Sequence, residues 1–118
     1  MDLPELIDHC LALKGVEETT PFGPDVLVYK VMGKMFALTS PDGFPSRVNL
    51  KCDPERAVEL RDEYASILPG YHMNKRHWNT VVLDGGVPDP LMRELIEHSY
   101  QLVVKGLTKK RRDELEEL

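Results

Sequence analysis

Residues 15–52 constrain this chain more than any other stretch. They read GVEETTPFGPDVLVYKVMGKMFALTSPDGFPSRVNLKC: short runs rich in Val, Tyr, Phe and Thr, cut by Gly and Pro. Branched and aromatic side chains suit a pleated surface, and Gly and Pro supply the turns between runs. The pattern predicts strands near Val16–Thr20, Val26–Val31, Met35–Thr39 and Arg47–Cys52. The middle two flank "MGK", a hairpin in which Gly33 supplies the positive φ of a tight turn. In RVNLKC, Val48, Leu50 and Cys52 point one way and Arg47, Asn49 and Lys51 the other. Such alternation builds a sheet with one buried face and one wet face.

Helical patterns flank this region. From Leu3 to Leu13, the residues Leu3, Leu6, Ile7, Cys10 and Leu11 share a stripe, with Asp2 as N-cap, Pro4 in the first turn and Gly15 as C-cap. DPERAVELRDEY offers Asp53 as N-cap, Pro54 at the first helical position and a stripe through Ala57, Leu60, Arg61 and Tyr64. That helix breaks at LPG, and His77–Leu83 reads as a further strand ended by DGG. In PDPLMRELIEHSYQLVVKGL, Asp89 is the expected cap and Pro90 the opening residue of a broadly apolar helix that Gly106 ends. Helices segregated to one face of an antiparallel sheet make a two-layer α+β sandwich. Residues 1–107 are expected to form its single domain, and residues 108–118, TKKRRDELEEL, a charged tail with a fraying helical end.

The formal charge of −5 argues against a general nucleic-acid binder, yet the charge is unevenly placed. Residues 26–52 carry +3 and residues 70–83 carry +2, which leaves −10 for the rest. The predicted sheet is positive and the predicted helices and termini are negative. Should the helices cover one side, the cations gather on the other and attract anions. The competing reading is that strand lysines serve solubility and discourage edge pairing.

No apolar run approaches the roughly 18 residues of a membrane span, and acidic residues sit where a signal peptide wants lysine or arginine, so a cytoplasmic protein is expected. Cys10 and Cys52 read as buried apolar thiols, without zinc spacing. Glu94 and His98 at i, i+4 spacing give only two ligands, so no metal is expected. His9 and His98 read as solvated or locally hydrogen-bonded. Phosphate-loop, dinucleotide, nucleophile-elbow and zincin motifs are absent, so neither a catalytic centre nor a cofactor is expected.

The candidate binding residues are Lys30 and Lys51 on the strands and Tyr71, His72, Asn74, Lys75, Arg76, His77, Trp78 and Asn79 in PGYHMNKRHWN. Dense donors after a helix break suit a phosphate or carboxylate. Tyr29, Tyr71 and Trp78 offer planar faces if they point outward, although a lone Trp is more often a core anchor. The plainer alternative gives Asn74 and Lys75 to a turn, and His77 and Asn79 to backbone groups.

The segments TTPFGPDVLVYKVMGKMFAL, RVNLKCDPERAVELRDEY and PGYHMNKRHWNTVVLDGGVPDPLMRELIEHSYQLVVKGL together resemble the MmcQ/YjbR family, over roughly residues 3–107. The resemblance implies a compact antiparallel sheet with helices against one face, similar to secretion-chaperone-like and frataxin-like sandwiches. Members are commonly called DNA-binding proteins with a double-wing motif, a label drawn largely from shape. Lys51, Tyr71, His72 and Asn74–Asn79 carry the motif here. The family supplies no catalytic set to transfer. The expectation is a binding module rather than an enzyme, with DNA engaged by the basic sheet face and its hairpin wings. The alternative is a small anion or an acidic protein segment on the same residues. An uncovered sheet face or edge leaves monomer and homodimer both open.

Overall fold

A computed structural model describes residues 1–118. Along the chain lie α1 (Leu3–Ala12), β1 (Val16–Thr19), β2 (Leu27–Val31), β3 (Lys34–Thr39), β4 (Arg47–Lys51), α2 (Pro54–Glu63), β5 (Ile67–Pro69), β6 (Trp78–Val82), α3 (Asp89–Lys105) and α4 (Lys109–Glu116). The strands form one sheet in the order β1-β2-β3-β4-β6-β5, antiparallel throughout. This is the two-layer α+β sandwich that the alternation implies. β5 was hidden from pattern reading, because three residues ending in proline carry no alternation.

The main core lies between one sheet face and the helices. Tyr29, Val31, Phe36, Val48, Leu50 and Val81 pack there against Leu6 and Cys10 of α1, Ala57 and Leu60 of α2, and Met92, Ile96 and Tyr100 of α3. Asp2 and Asp53 cap their helices through their carboxylates, as the sequence predicts. Asp89 does not. Pro88 occupies the cap position of α3, and the Asp89 carboxylate instead takes the Met1 ammonium, which holds its pKa low.

The segment after Leu107 is no loose tail. Thr108 caps α4 by accepting from the Arg111 N–H at 3.2 Å, and Leu115 is buried in the main core. The charge-rich pattern of this segment concealed a single apolar anchor.

β3 carries one extra residue between its pairings Tyr29↔Ala37 and Lys30↔Met35. This bulge turns Phe36 inward beside Ala37 and interrupts the ladder to β4. Ser99 of α3 fills the gap: its hydroxyl donates to the Phe36 carbonyl at 2.6 Å and accepts from the Lys51 N–H at 2.8 Å. Ser99 is fully buried, so both orphaned backbone groups depend on it.

Candidate functional site

Register assigns the other sheet face. Lys30 and Met35 are paired there, as are Lys51 with Trp78, Asn49 with Thr80, and Arg47 with Val82. β2 ends, β3 begins, β4 ends and β6 begins at the same end of the sheet. Lys30, Lys34, Lys51 and the Arg76 loop therefore gather at that end.

The molecule holds four ion pairs, Met1 with Asp89, Arg56 with Glu94, Lys109 with Asp113, and Arg111 with Glu114, and His9 approaches Glu97 at 3.6 Å, a pair only when the imidazole is protonated. All lie on the helices or the N-terminus, and none involves a strand residue. Glu17 stands opposite Lys30 in the β1–β2 register, yet the two form no ion pair. The sheet cations remain available to an external anion.

Residues 70–73 fold back over the open face, whereas the Lys75 carbonyl accepts from Arg61 of α2 at 3.3 Å. Gly70 makes this possible, because a Cβ there would lie 2.8 Å from both the Cβ and the carbonyl oxygen of Trp78. The Asn49–Thr80 pair then clamps the loop. The Tyr71 N–H donates to Thr80 Oγ1 at 2.9 Å, Asn49 Nδ2 donates to the Tyr71 carbonyl at 3.2 Å, and Thr80 Oγ1 donates to Asn49 Oδ1 at 2.5 Å. Beneath the loop, Val28, Leu38 and Trp78 form a small second core with Met73 packed on it.

The ten candidate residues divide accordingly. Lys30, Lys51, Tyr71 and His72 reach the open side, and Arg76 is exposed in the turn before β6. Trp78 is only 8% exposed and anchors the second core, so it presents no stacking face. Tyr29 is fully buried on the helical side, where burial and Glu18 push its phenol pKa well up. Asn79 is also turned to the helices: its Nδ2 donates to the Ala57 carbonyl at 3.3 Å and its Oδ1 accepts from Arg61 at 2.8 Å. Asn74 builds the turn, its Oδ1 accepting from the Arg76 N–H at 3.0 Å and its carbonyl from the His77 and Trp78 N–H groups. Lys75 Nζ donates to the Gly70 carbonyl at 3.0 Å. The His77 carbonyl accepts from the Cys52 N–H. The run KRHW is thus partly a loop staple, and of its two exposed cations only Arg76 has a side chain that makes no hydrogen bond.

Tyr71 and His72 line a cleft of about 620 Å³ that pattern reading missed. Its other walls come from Phe22 and Val26 before β2, Met35 and Leu38 of β3, Phe44 and Pro45 before β4, and Arg47. These residues lie too far apart in sequence to form a motif. The legible signal was a phenylalanine stranded in the Gly- and Pro-rich loop SPDGFPS.

The remaining reactive groups are occupied. Burial raises the Cys10 thiol to about 12 and the Cys52 thiol to about 11, so neither supplies a thiolate near neutrality. His98 Nε2 accepts from the Asp53 N–H at 3.2 Å, and Glu94 pairs with Arg56. The two residues that could have shared a metal are thus separately committed. His9 is not solvated: its Nε2 is buried, 3.6 Å from Glu97, without a hydrogen bond. No helix is long and apolar enough to cross a membrane.

Fold and face together define a class: a two-layer α+β sandwich with helices on one side and an unpaired cationic surface on the other. The chain belongs to the YjbR family, whose family model matches residues 11–102. It is 44% identical over 100 residues to the protein YbdF of Escherichia coli O157:H7, covering 85% of this chain and 82% of that one. It is 35% identical over 118 residues to YjbR of Escherichia coli K12, covering all of both chains. The crystal structure of Deinococcus radiodurans protein DR2400, of the DUF419 domain family, is similar at a TM-score of 0.91 and 48% identity, covering 97% of this chain and 87% of that one.

Proposed function

We propose that this protein is a non-catalytic binding module that takes nucleic acid, DNA in the first instance, on the open face of its sheet. The observation that supports this reading is the separation of charge. Every ion pair lies in the helical layer or at the N-terminus, whereas Lys30 and Lys51 on the open face, and Lys34 and Arg76 at the same end of the sheet, have no carboxylate partner. A cationic edge beside low-dielectric walls attracts phosphates, and the acidic helices repel them, so a polyanion is oriented onto this face. The Met32–Gly33 turn of the β2–β3 hairpin and the loop over residues 70–77 flank the edge as its wings.

The test is a fluorescence-anisotropy titration with single- and double-stranded oligonucleotides across salt. Neutralising about four phosphates gives a log–log salt slope of about −3 to −4. Lys51→Glu combined with Arg76→Glu abolishes binding; unchanged affinity of that variant at low salt rejects the reading. Lys75 is the poorer probe, because its ammonium holds the loop.

The overall charge of −5 favours a second reading, since it opposes a long polyanion more than a compact one. A small anion or an acidic protein segment would then occupy the same cations. One-to-one saturation indifferent to oligonucleotide length separates it from the first.

A further inference from the structure

The cleft in the open face differs in kind from the cationic edge. Its floor is Val26, Met35 and Leu38, and three aromatic side chains stand around it with little cover. Phe22 is 62% exposed, Phe44 99% and Tyr71 66%, although each is costly to leave in water. Its volume of about 620 Å³ falls within the roughly 300–1,000 Å³ of small-ligand sites.

Charge narrows the occupant. Arg47 and His72 both line the cleft, neither enters an ion pair, and no aspartate or glutamate lines it. The lip is also held in an unfavourable conformation. His72 has φ +57°, in the left-handed region, with its ring 4.0 Å from that of Tyr71. Non-glycine residues persist there when surrounding contacts fix them, and such outliers cluster at ligand sites. Here the fixing contacts are the Asn49–Thr80 clamp on the Tyr71 backbone. Scattered exposed aromatics would need no explanation; three around one acid-free concavity do.

We propose that this cleft is a binding site for a small planar aromatic monoanion. The ring system lies over Met35 and Leu38 between the aromatic side chains, and the anionic group meets the Arg47 guanidinium at the mouth. Guanidinium suits carboxylate, sulfonate and phosphate ester alike, through paired N–H donors. The site does not require the nucleic-acid reading, because its charge contact is Arg47 and not the lysine edge.

The test uses two fluorescent probes of one shape: 8-anilinonaphthalene-1-sulfonate, which is anionic, and N-phenyl-1-naphthylamine, which is neutral. The sulfonate dye binds one-to-one and raises the melting temperature, as a ligand of the folded state must. Arg47→Gln weakens the sulfonate dye about tenfold, the scale of one lost charge-assisted contact, and leaves the neutral dye unchanged. Phe44→Ala weakens both without lowering the melting temperature, and Lys110→Glu changes neither. 1-Naphthoate displaces the sulfonate dye, whereas decanoate at equal concentration does not. A dye that lowers the melting temperature, equal affinity in wild type and Arg47→Gln, indifference to Phe44→Ala, or equal displacement by decanoate each overturns the proposal.

Discussion

Phe36 and Phe44 lie eight positions apart and meet opposite fates. The bulge in β3 drives Phe36 into the helix-covered side, where it is fully buried and edge-on to Tyr100 at 5.5 Å. Phe44, in the loop before β4, is 99% exposed beside the cleft. The two sheet faces differ in the same way. On the helical face, apolar side chains close a core and the buried polar groups Ser99 and Asn79 hydrogen-bond to backbone carbonyls. On the open face, Lys30 and Lys51 enter no ion pair, even with Glu17 opposite Lys30, and Phe22, Phe44 and Tyr71 stand without cover. A strand that alternates residue by residue can stabilise the fold with one set and keep the other for a ligand.

Breaking the helical face has the largest effect. Phe36→Ala costs about 3–5 kcal/mol in urea or thermal unfolding, while Phe44→Ala stays within about 0.5 kcal/mol. Comparable losses at the two positions would erase the distinction between the faces.

The next effect belongs to the open face. Raising salt from 50 to 200 mM weakens oligonucleotide binding by roughly a hundredfold, if about four phosphates are neutralised. Lys109→Glu in α4 leaves that binding unchanged, because its ammonium is already paired with Asp113. A shallow slope, or equal sensitivity to Lys109→Glu, would place the contact elsewhere.

Ser99→Ala removes a donor and an acceptor at the bulge and leaves the Phe36 carbonyl and Lys51 N–H buried without partners, at a cost of about 1–3 kcal/mol. Hydrogen exchange at the Lys51 amide, faster in the variant than at the Leu50 amide, localises the effect. A uniform change across β4 would count against the bridge.

The smallest effect is a pH dependence at the α2–α3 contact. Burial, with the neighbouring Arg56 charge, holds the His98 pKa below its usual value, because the neutral ring must accept from the Asp53 N–H. The unfolded state therefore takes up the proton first as pH falls. Stability is fully present above the ordinary histidine range and declines as pH drops through it toward the folded value. His98→Gln, which keeps an acceptor, flattens this segment of the stability–pH curve; an unaltered curve assigns the dependence to another group.

Much of this was legible in sequence, for identifiable reasons. RVNLKC fixed the two faces of β4 because alternation over five or six residues has a single geometric solution. α1 and α2 announced their starts through Asp2 and Asp53. The failures have a common cause: contacts between segments distant in the chain. Trp78 and Asn79 sit in the most distinctive run, yet Val28 and Leu38 claim the indole and Arg61 and Ala57 claim the amide. Leu115 is a lone apolar position among charges, and its place in the main core beside Gly15 explains it. The cleft draws on three loops, so no local pattern contains it. Arg47 was visible as a strand cation, but its place beside Phe44 and His72 depends on the loop folding back across the sheet.

Backbone amide chemical-shift mapping with a short single-stranded or duplex oligonucleotide at low salt tests most directly which face is used. Perturbations concentrated at Lys30, Lys34, Lys51, Tyr71 and Arg76, with α1 and α3 silent, are the expected result. Perturbations centred on the helical layer, or none at oligonucleotide excess, would contradict an interface on the open face of the sheet.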